Sequence, residues 1–306
     1  KAEAPNSTAE ASVGSPAQAR PAMPSIPASE SAPPPSQTGG FDGQKAYDYT
    51  AALVAFGPRP PGTDAIRQTQ KYIRQQLDSF GCPVEEDDFH AQTPIGTVAM
   101  KNIIAKIPGE GPGIILLLTH YDTKRLANFV GAVDGGSSSG LMIEMARLLC
   151  PRKQRQAVWI AFLDGEEAFA QWTDTDSVYG SRELAAKLAV AGDLPKIRAV
   201  ILADMVGPVN LKIQRDTNST KWLTDLVWST AARLGYRDQF ISVDTAVEDD
   251  HAPFMRRKVP SVDIIDLNDF REWHTPQDTM DKVSPRSLAI VGHVILETVN
   301  QLQKKP

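Results

Sequence analysis

The chain has 306 residues, a formal net charge of −5 and a pI near 5.6. That acidic balance, with no run of five or more basic residues, argues against a nucleic-acid surface, and no apolar segment is long enough to span a bilayer. The length suffices to bury a real core in one large α/β domain or two small ones.

Ala, Pro, Ser and Gly dominate the first forty residues and no periodicity survives for a turn, so 1–40 reads as a disordered linker and 41–306 as the globular domain. The chain begins at Lys1 rather than Met. A Pro/Ala/Ser tether of this kind is expected behind a cleaved export signal, giving a periplasmic, envelope-anchored or secreted protein; a cut introduced upstream in cloning is the other reading. The two cysteines, Cys82 and Cys150, are open to one disulfide or two core thiols, and a pair this sparse is expected to stay unpaired.

From Phe41 the pattern turns helical: Ala46, Tyr47, Tyr49, Ala52, Leu53 and Phe56 repeat at helical spacing and stop at Gly57-Pro58. A turn stiffened by three prolines follows, and Thr63 or Asp64 caps a second amphipathic helix carrying Ile66, Tyr72, Ile73 and Leu77. Strands are predicted over Val84 to His90 and Thr97 to Ile107. Gly113 to Thr119 is a core strand that delivers His120-Tyr121-Asp122 to its C-terminal end. Asp134 precedes the helix Leu141 to Leu149, where free backbone N–H groups are expected to hold its second carboxylate oxygen. The run Ala157 to Leu163 reads as a strand buried on both faces, leading into Gly165-Glu166-Glu167. A loop with Trp172, Asp176 and Ser177, a helix from Ser181 to Ala191 and a core strand over Ala199–Ala203 ending in Asp204 come next. A helix over about 219–234, a strand from Val259 to Ile265 and a closing helix from Ser284 to about Gln303 complete the chain.

This alternation predicts an α/β fold: a single globular domain with a mostly parallel, twisted central sheet, an antiparallel edge and helices on both faces. His120-x-Asp122, Glu166-Glu167 and Asp204 then fall at the C-terminal ends of core strands, where ligands collect in such sheets. Two adjacent glutamates after a buried apolar run are costly to desolvate unless a cation or a proton accompanies them. Taken singly, an Asp before a helix is an N-cap and a His after a strand is a hydrogen-bonded core residue. Together, these acids and histidines without cysteine suit a borderline metal such as zinc.

In this order, His120-x-Asp122, Asp134, Glu166-Glu167, Asp204 and His274 resemble the metal site of bacterial leucyl aminopeptidase-type zinc enzymes. More specifically, Phe56 to Gly62, His120 to Lys124, Asp164 to Phe169 with Trp172, Asp176 to Arg182, Asp249-Asp250-His251-Ala252-Pro253-Phe254 and Trp273-His274-Thr275 are similar to animal-type glutaminyl cyclases, over a span from about Phe41 to the end. The resemblance implies a bacterial relative of that family, with a zinc exopeptidase-like fold, acting as a monomer on peptides or proteins with N-terminal Gln. It implies one Zn2+ per chain held by Asp134, Glu167 and His274, and Glu166 as proton carrier. Asp204 and Asp249 match a paired acidic relay behind the site, and Trp273 and Trp172 match a flat apolar pocket wall; ordinary core packing is the alternative for Trp172. Three departures stand out: Thr119 and Ser139 occupy the positions of an animal disulfide, Asp263 stands where a histidine is found, and the segment between Asp204 and Glu248 is short, which implies a more open entrance. Two further readings stay open. In a two-zinc aminopeptidase, His120 and Asp204, with Asp122 behind them, supply a second metal bridged by Asp134, and Glu166 activates a water. In a binding protein the fold is kept and the chemistry lost.

Overall fold

The structure, a computed structural model, describes residues 25–267 and 270–304. Among the described residues there are eight strands: β1 (Val84–Thr93), β2 (Gly96–Ile107), β3 (Ile114–His120), β4 (Ala157–Leu163), β5 (Ile197–Asp204), β6 (Ile213–Asp216), β7 (Phe240–Thr245) and β8 (Ser261–Ile265). The helices are α1 (Gly43–Val54), α2 (Asp64–Ser79), α3 (Ser138–Leu149), α4 (Tyr179–Val190), α5 (Lys221–Arg233), the single turn α6 (Ala252–Met255) and α7 (Pro285–Lys304). Six strands form one sheet in the order β1-β2-β4-β3-β5-β8. The β4-β3-β5-β8 portion is parallel, and β1 and β2 join it antiparallel, as the edge was expected to.

Strand periodicity divides the core in two. Ile115 and Leu117 of β3, with Val158, Ile160, Ala199 and Ile201, face α1, α2, α3, α5 and α7. Their neighbours Ile114, Leu116 and Leu118 face α4, Phe254 and Val259. Each fully buried Leu or Ile contributes about 1.5–3 kcal/mol, and a strand buried on both faces collects this at every position. The caps form as their chemistry dictates: the Asp42 side chain accepts from Gln44 N and Lys45 N to start α1, and Thr63, the first of the two candidates, accepts from Ile66 N to start α2.

The strands β6 and β7, the single turn α6 and the short N-terminal turns went unpredicted. β6 and β7 pair in parallel as a separate two-stranded sheet inside the 205–247 segment. At the N-terminus, residues 1–24 of the expected linker lie outside the described residues. From residue 25 onward there are short 3-10 turns at Ala28–Glu30 and Pro35–Gln37. Ile26 packs at the core margin, and buried Thr38 donates to the Phe41 carbonyl at 2.6 Å. Packing therefore starts before Phe41, in a Pro-rich stretch whose composition gives no sign of it.

The cysteines correct an expectation. Cys82 and Cys150 form a disulfide with Cα atoms 5.2 Å apart, rather than remaining free thiols. They are 68 residues apart in sequence, so nothing local announces the contact. It arises because α2 and α3 pack together and their C-terminal ends meet beside the starts of β3 and β4, at the opposite end of the strands from His120. Closing a loop of that length stabilises by about 2–4 kcal/mol. Replacing both cysteines with Ser is expected to lower unfolding free energy in urea by about that amount while leaving turnover unchanged; unaltered stability would show that the bridge constrains nothing.

Candidate active site

The chain runs from β3 to β4 on one side and later to β5 on the other, so the C-terminal end of β3 is the switch point where a crevice opens. His120 ends β3, Asp204 ends β5, and Glu166 and Glu167 follow β4. Asp134 and His274 arrive from loops. Asp134 sits in an irregular turn before α3 that depends on Gly135, whose φ is +74°; a Cβ there would stand 2.8 Å from both the Asp122 carbonyl oxygen and His120 Cε1. His274 itself has φ +53°, a conformation that costs energy outside glycine and clusters at functional positions.

Two groups share Asp134. In the first, His120 Nε2 lies 3.0 Å from Asp204 Oδ1 and 3.3 Å from Asp134 Oδ1. In the second, His274 Nε2 lies 3.0 Å from Glu167 Oε1 and 3.3 Å from Asp134 Oδ2. Within each group the ligand atoms lie within 4.8 Å of one another. The helix N-terminus does not hold the second oxygen of Asp134 as expected: α3 begins only at Ser138, and Oδ2 is buried without a hydrogen bond. An orphaned carboxylate oxygen facing a histidine and a second carboxylate suits a bound dication, and the O/N donor set fits zinc.

Other carboxylates position these ligands. Asp122 accepts from Glu166 N at 3.1 Å and from Glu167 N at 3.4 Å, so its place is behind the glutamates. Asp278 accepts from Val133 N at 2.7 Å and Asp134 N at 3.0 Å. Lys124 Nζ lies 3.3 Å from Glu167 Oε2. Trp273 stacks on the His274 ring at 4.1 Å, and Phe129 meets that ring edge-on at 5.8 Å. Where the animal disulfide was expected to be missing, the Ser139 and Thr119 hydroxyls both donate to the His120 carbonyl, at 2.7 and 3.2 Å. Asp263 is fully buried, with its Oδ2 4.0 Å from His251 Nδ1.

The cluster holds more acid than it can ionise at once. Burial pushes Glu166 well above the usual carboxylate range against the pull of His120, and Glu167, Asp249 and Asp250 push it further. Burial also raises Asp249 well above that range, helped by Asp204 and Asp250. Burial alone would lower His274, but the facing carboxylates of Asp134 and Glu167 hold it at about 9. Asp134 is depressed because the His120 and His274 rings beside it outweigh burial.

A cavity of about 390 Å³ opens above these groups. Asp134, Glu166, Glu167, Asp204, Asp249, His274, Trp172 and Trp273 all line it. His120 and Asp122 lie fully buried beneath. Trp172 and Trp273 are 38% and 44% exposed, so Trp172 belongs to the rim and not to the core. Met205, Val247, Ile265 and Leu267 complete the apolar wall. Sequence reasoning gave no role to Asp278, Lys124, Phe129 or the buried Arg59. Lys124 and Arg59 lay within quoted motifs, and Asp278 carried no signal beyond its place four residues after His274.

The family model for peptidase family M28 matches residues 102–299. The glutaminyl-peptide cyclotransferase of Bothrops jararaca is 32% identical over 83% of this chain and 80% of its own. The structure of a glutaminyl cyclase from an Acidobacteriales bacterium shares 39% identity, covers 96% of this chain and 100% of that one, and superposes with a TM-score of 0.83. A Zn-dependent exopeptidase from Parabacteroides distasonis shares 28% identity over 87% of this chain and 99% of that one, with a TM-score of 0.78. The chain thus belongs to peptidase family M28, among its glutaminyl-peptide cyclotransferases.

Proposed function

We propose that the protein is a zinc-dependent glutaminyl-peptide cyclotransferase, converting the N-terminal Gln of peptides or proteins to pyroglutamate with release of ammonia. The observation that carries this reading is that Asp134, Glu167 and His274 all line the cavity beside Glu166, whereas His120 is sealed beneath it. Asp134, Glu167 and His274 would hold one zinc per chain. When bound there, zinc supplies a Lewis acid for the side-chain carboxamide oxygen of the substrate.

The substrate brings its own nucleophile, the α-amine, and closes a five-membered ring. Glu166 takes the proton from that amine and returns it to the departing ammonia; its raised proton affinity suits a group that must both accept and donate. Asp249, whose proton affinity is raised by burial and by Asp204 nearby, would share a proton with Asp204, and the pair would steady charge behind the site. Trp172 and Trp273 position the glutamine side chain and exclude the water that would hydrolyse its amide to glutamate. We further assign export to the periplasm, envelope or exterior, supported by the disulfide, with the enzyme acting as a monomer and residues 41–306 forming the catalytic domain.

The two-zinc aminopeptidase reading is favoured by one observation, the second ligand group His120, Asp134 and Asp204. An assay on a short peptide beginning with Gln, with zinc counted on the same sample, separates the two. The cyclase releases ammonia, keeps the peptide bond and carries about one zinc per chain; free glutamine and about two zincs would establish the peptidase.

Glu166→Gln is expected to lower turnover about 10²–10⁴-fold with zinc content unchanged; loss of metal would reverse the roles of the two glutamates. Asp204→Ala should reduce turnover at constant zinc, and loss of a second zinc would favour the peptidase. Because a proton on His274 competes with metal up to about pH 9, zinc affinity measured by chelator competition should climb from pH 6 and level off near 9. A flat profile would remove His274 from the ligand set.

A further inference from the structure

Arg59 lies in the proline-stiffened turn between α1 and α2, is fully buried, and is the largest such side chain among the described residues. Its guanidinium bonds only backbone carbonyls: Nε donates to Tyr121 O at 3.3 Å, Nη1 to Gly57 O at 3.1 Å and Val130 O at 2.8 Å, and Nη2 to Gly131 O at 3.2 Å. The backbone is knotted at the same place, with Arg59 N donating to Thr123 Oγ1 at 2.8 Å and Thr123 N to Arg59 O at 3.2 Å. Two loops are therefore clamped to one side chain. One, at Tyr121–Thr123, carries Asp122, which sets Glu166 and Glu167. The other, at Val130–Gly131, enters the turn that carries Asp134.

A buried cation is ordinarily paired with a carboxylate, because desolvating it alone is costly. Among the described residues Arg59 has no carboxylate within ion-pair distance. Its charge is balanced through space instead: burial lowers it to about 10, and Asp278, Asp122 and Asp134 pull the other way, so it stays charged at neutral pH. Those three acids are the loop-setting pair and the shared ligand. Arg59 thus combines a fixed fork of donors with a charge opposite to the row it braces.

We propose that Arg59 is the positioning residue of the metal cradle, holding the Asp122 and Asp134 loops at the separation that zinc requires. The inference rests on the proposed zinc site. It assigns Arg59 no contact with substrate and no proton transfer.

The test uses the full chain and two substitutions, Arg59→Met and Arg59→Lys. Zinc affinity is read by competition with a chromophoric chelator, and ligand geometry by the visible absorption of the cobalt(II)-substituted protein. Arg59→Met is expected to weaken zinc binding by about 10–100-fold, the usual effect of losing a partner behind the ligands, and to change the cobalt band. Arg59→Lys, which keeps the charge but not the fork, should fall between it and the parent. A folded Arg59→Met protein with zinc affinity within about twofold of the parent, a bound on scatter well below that effect, and an unchanged cobalt band would overturn the proposal. If Arg59→Met does not fold, Arg59→Lys and Thr123→Val decide in its place: weakened zinc binding in both supports the role, and parental binding in both sinks it. Failure of the parent to take up zinc would overturn the metal reading itself, and this inference with it.

Discussion

The structure turns on the crowding of carboxylates around Asp134. Two histidines, His120 and His274, reach that one residue from opposite sides, each also bonded to a further acid. At the buried floor of a crevice such a group is stable only when cations, protons or fixed dipoles offset its charge. Cations and protons are both at hand: two imidazoles, the Lys124 ammonium, the remote Arg59 guanidinium, and carboxyls such as Glu166 and Asp249 whose proton affinity burial raises. A site so organised is poised to exchange a proton for a metal ion.

Aspartates that touch no substrate shape the loops around it, and they do so through the backbone. Asp122 gathers the amides of Glu166 and Glu167, and Asp278 those of Val133 and Asp134. Asp176 takes three in a row, from Phe169, Ala170 and Gln171, and so fixes the approach to Trp172. Asp216 accepts from Asn218 N and Val247 N and ties down the cavity wall. Consecutive N–H groups bound to one carboxylate leave a turn little freedom, so the precision of the site comes from main-chain hydrogen bonds as much as from packing.

Most of the fold was legible in the sequence because its signals are strong and local. β3, β4 and β5 carry apolar runs that lead into chemistry-bearing residues, and the residues named at those ends gather in one cavity or directly beneath it. What escaped depends on distance. Cys82 and Cys150 meet only through helix packing, and Asp278 acquires its role only when its loop folds onto Asp134. β6, with Ile213 as its one apolar residue, and β7, half of it polar, lack the periodicity that marks a strand. Arg59 was given no role, since no local pattern distinguishes a buried arginine from an exposed one. Asp134 meets Glu167 and His274 as expected, and only the cap expected for its second oxygen is missing, because the start of α3 lies beyond a glycine-dependent kink that periodicity cannot reveal.

The disulfide fastens the end of the sheet where the parallel strands begin, while every residue of the crevice lies where they finish. Structural insurance and chemical novelty thus occupy opposite poles of one scaffold. The loops above the strands can be lengthened, trimmed or rewritten while the pinned base keeps the strands in register. Such a layout tolerates drift at its working end, and it explains how one scaffold can host both peptide-bond hydrolysis and ring closure.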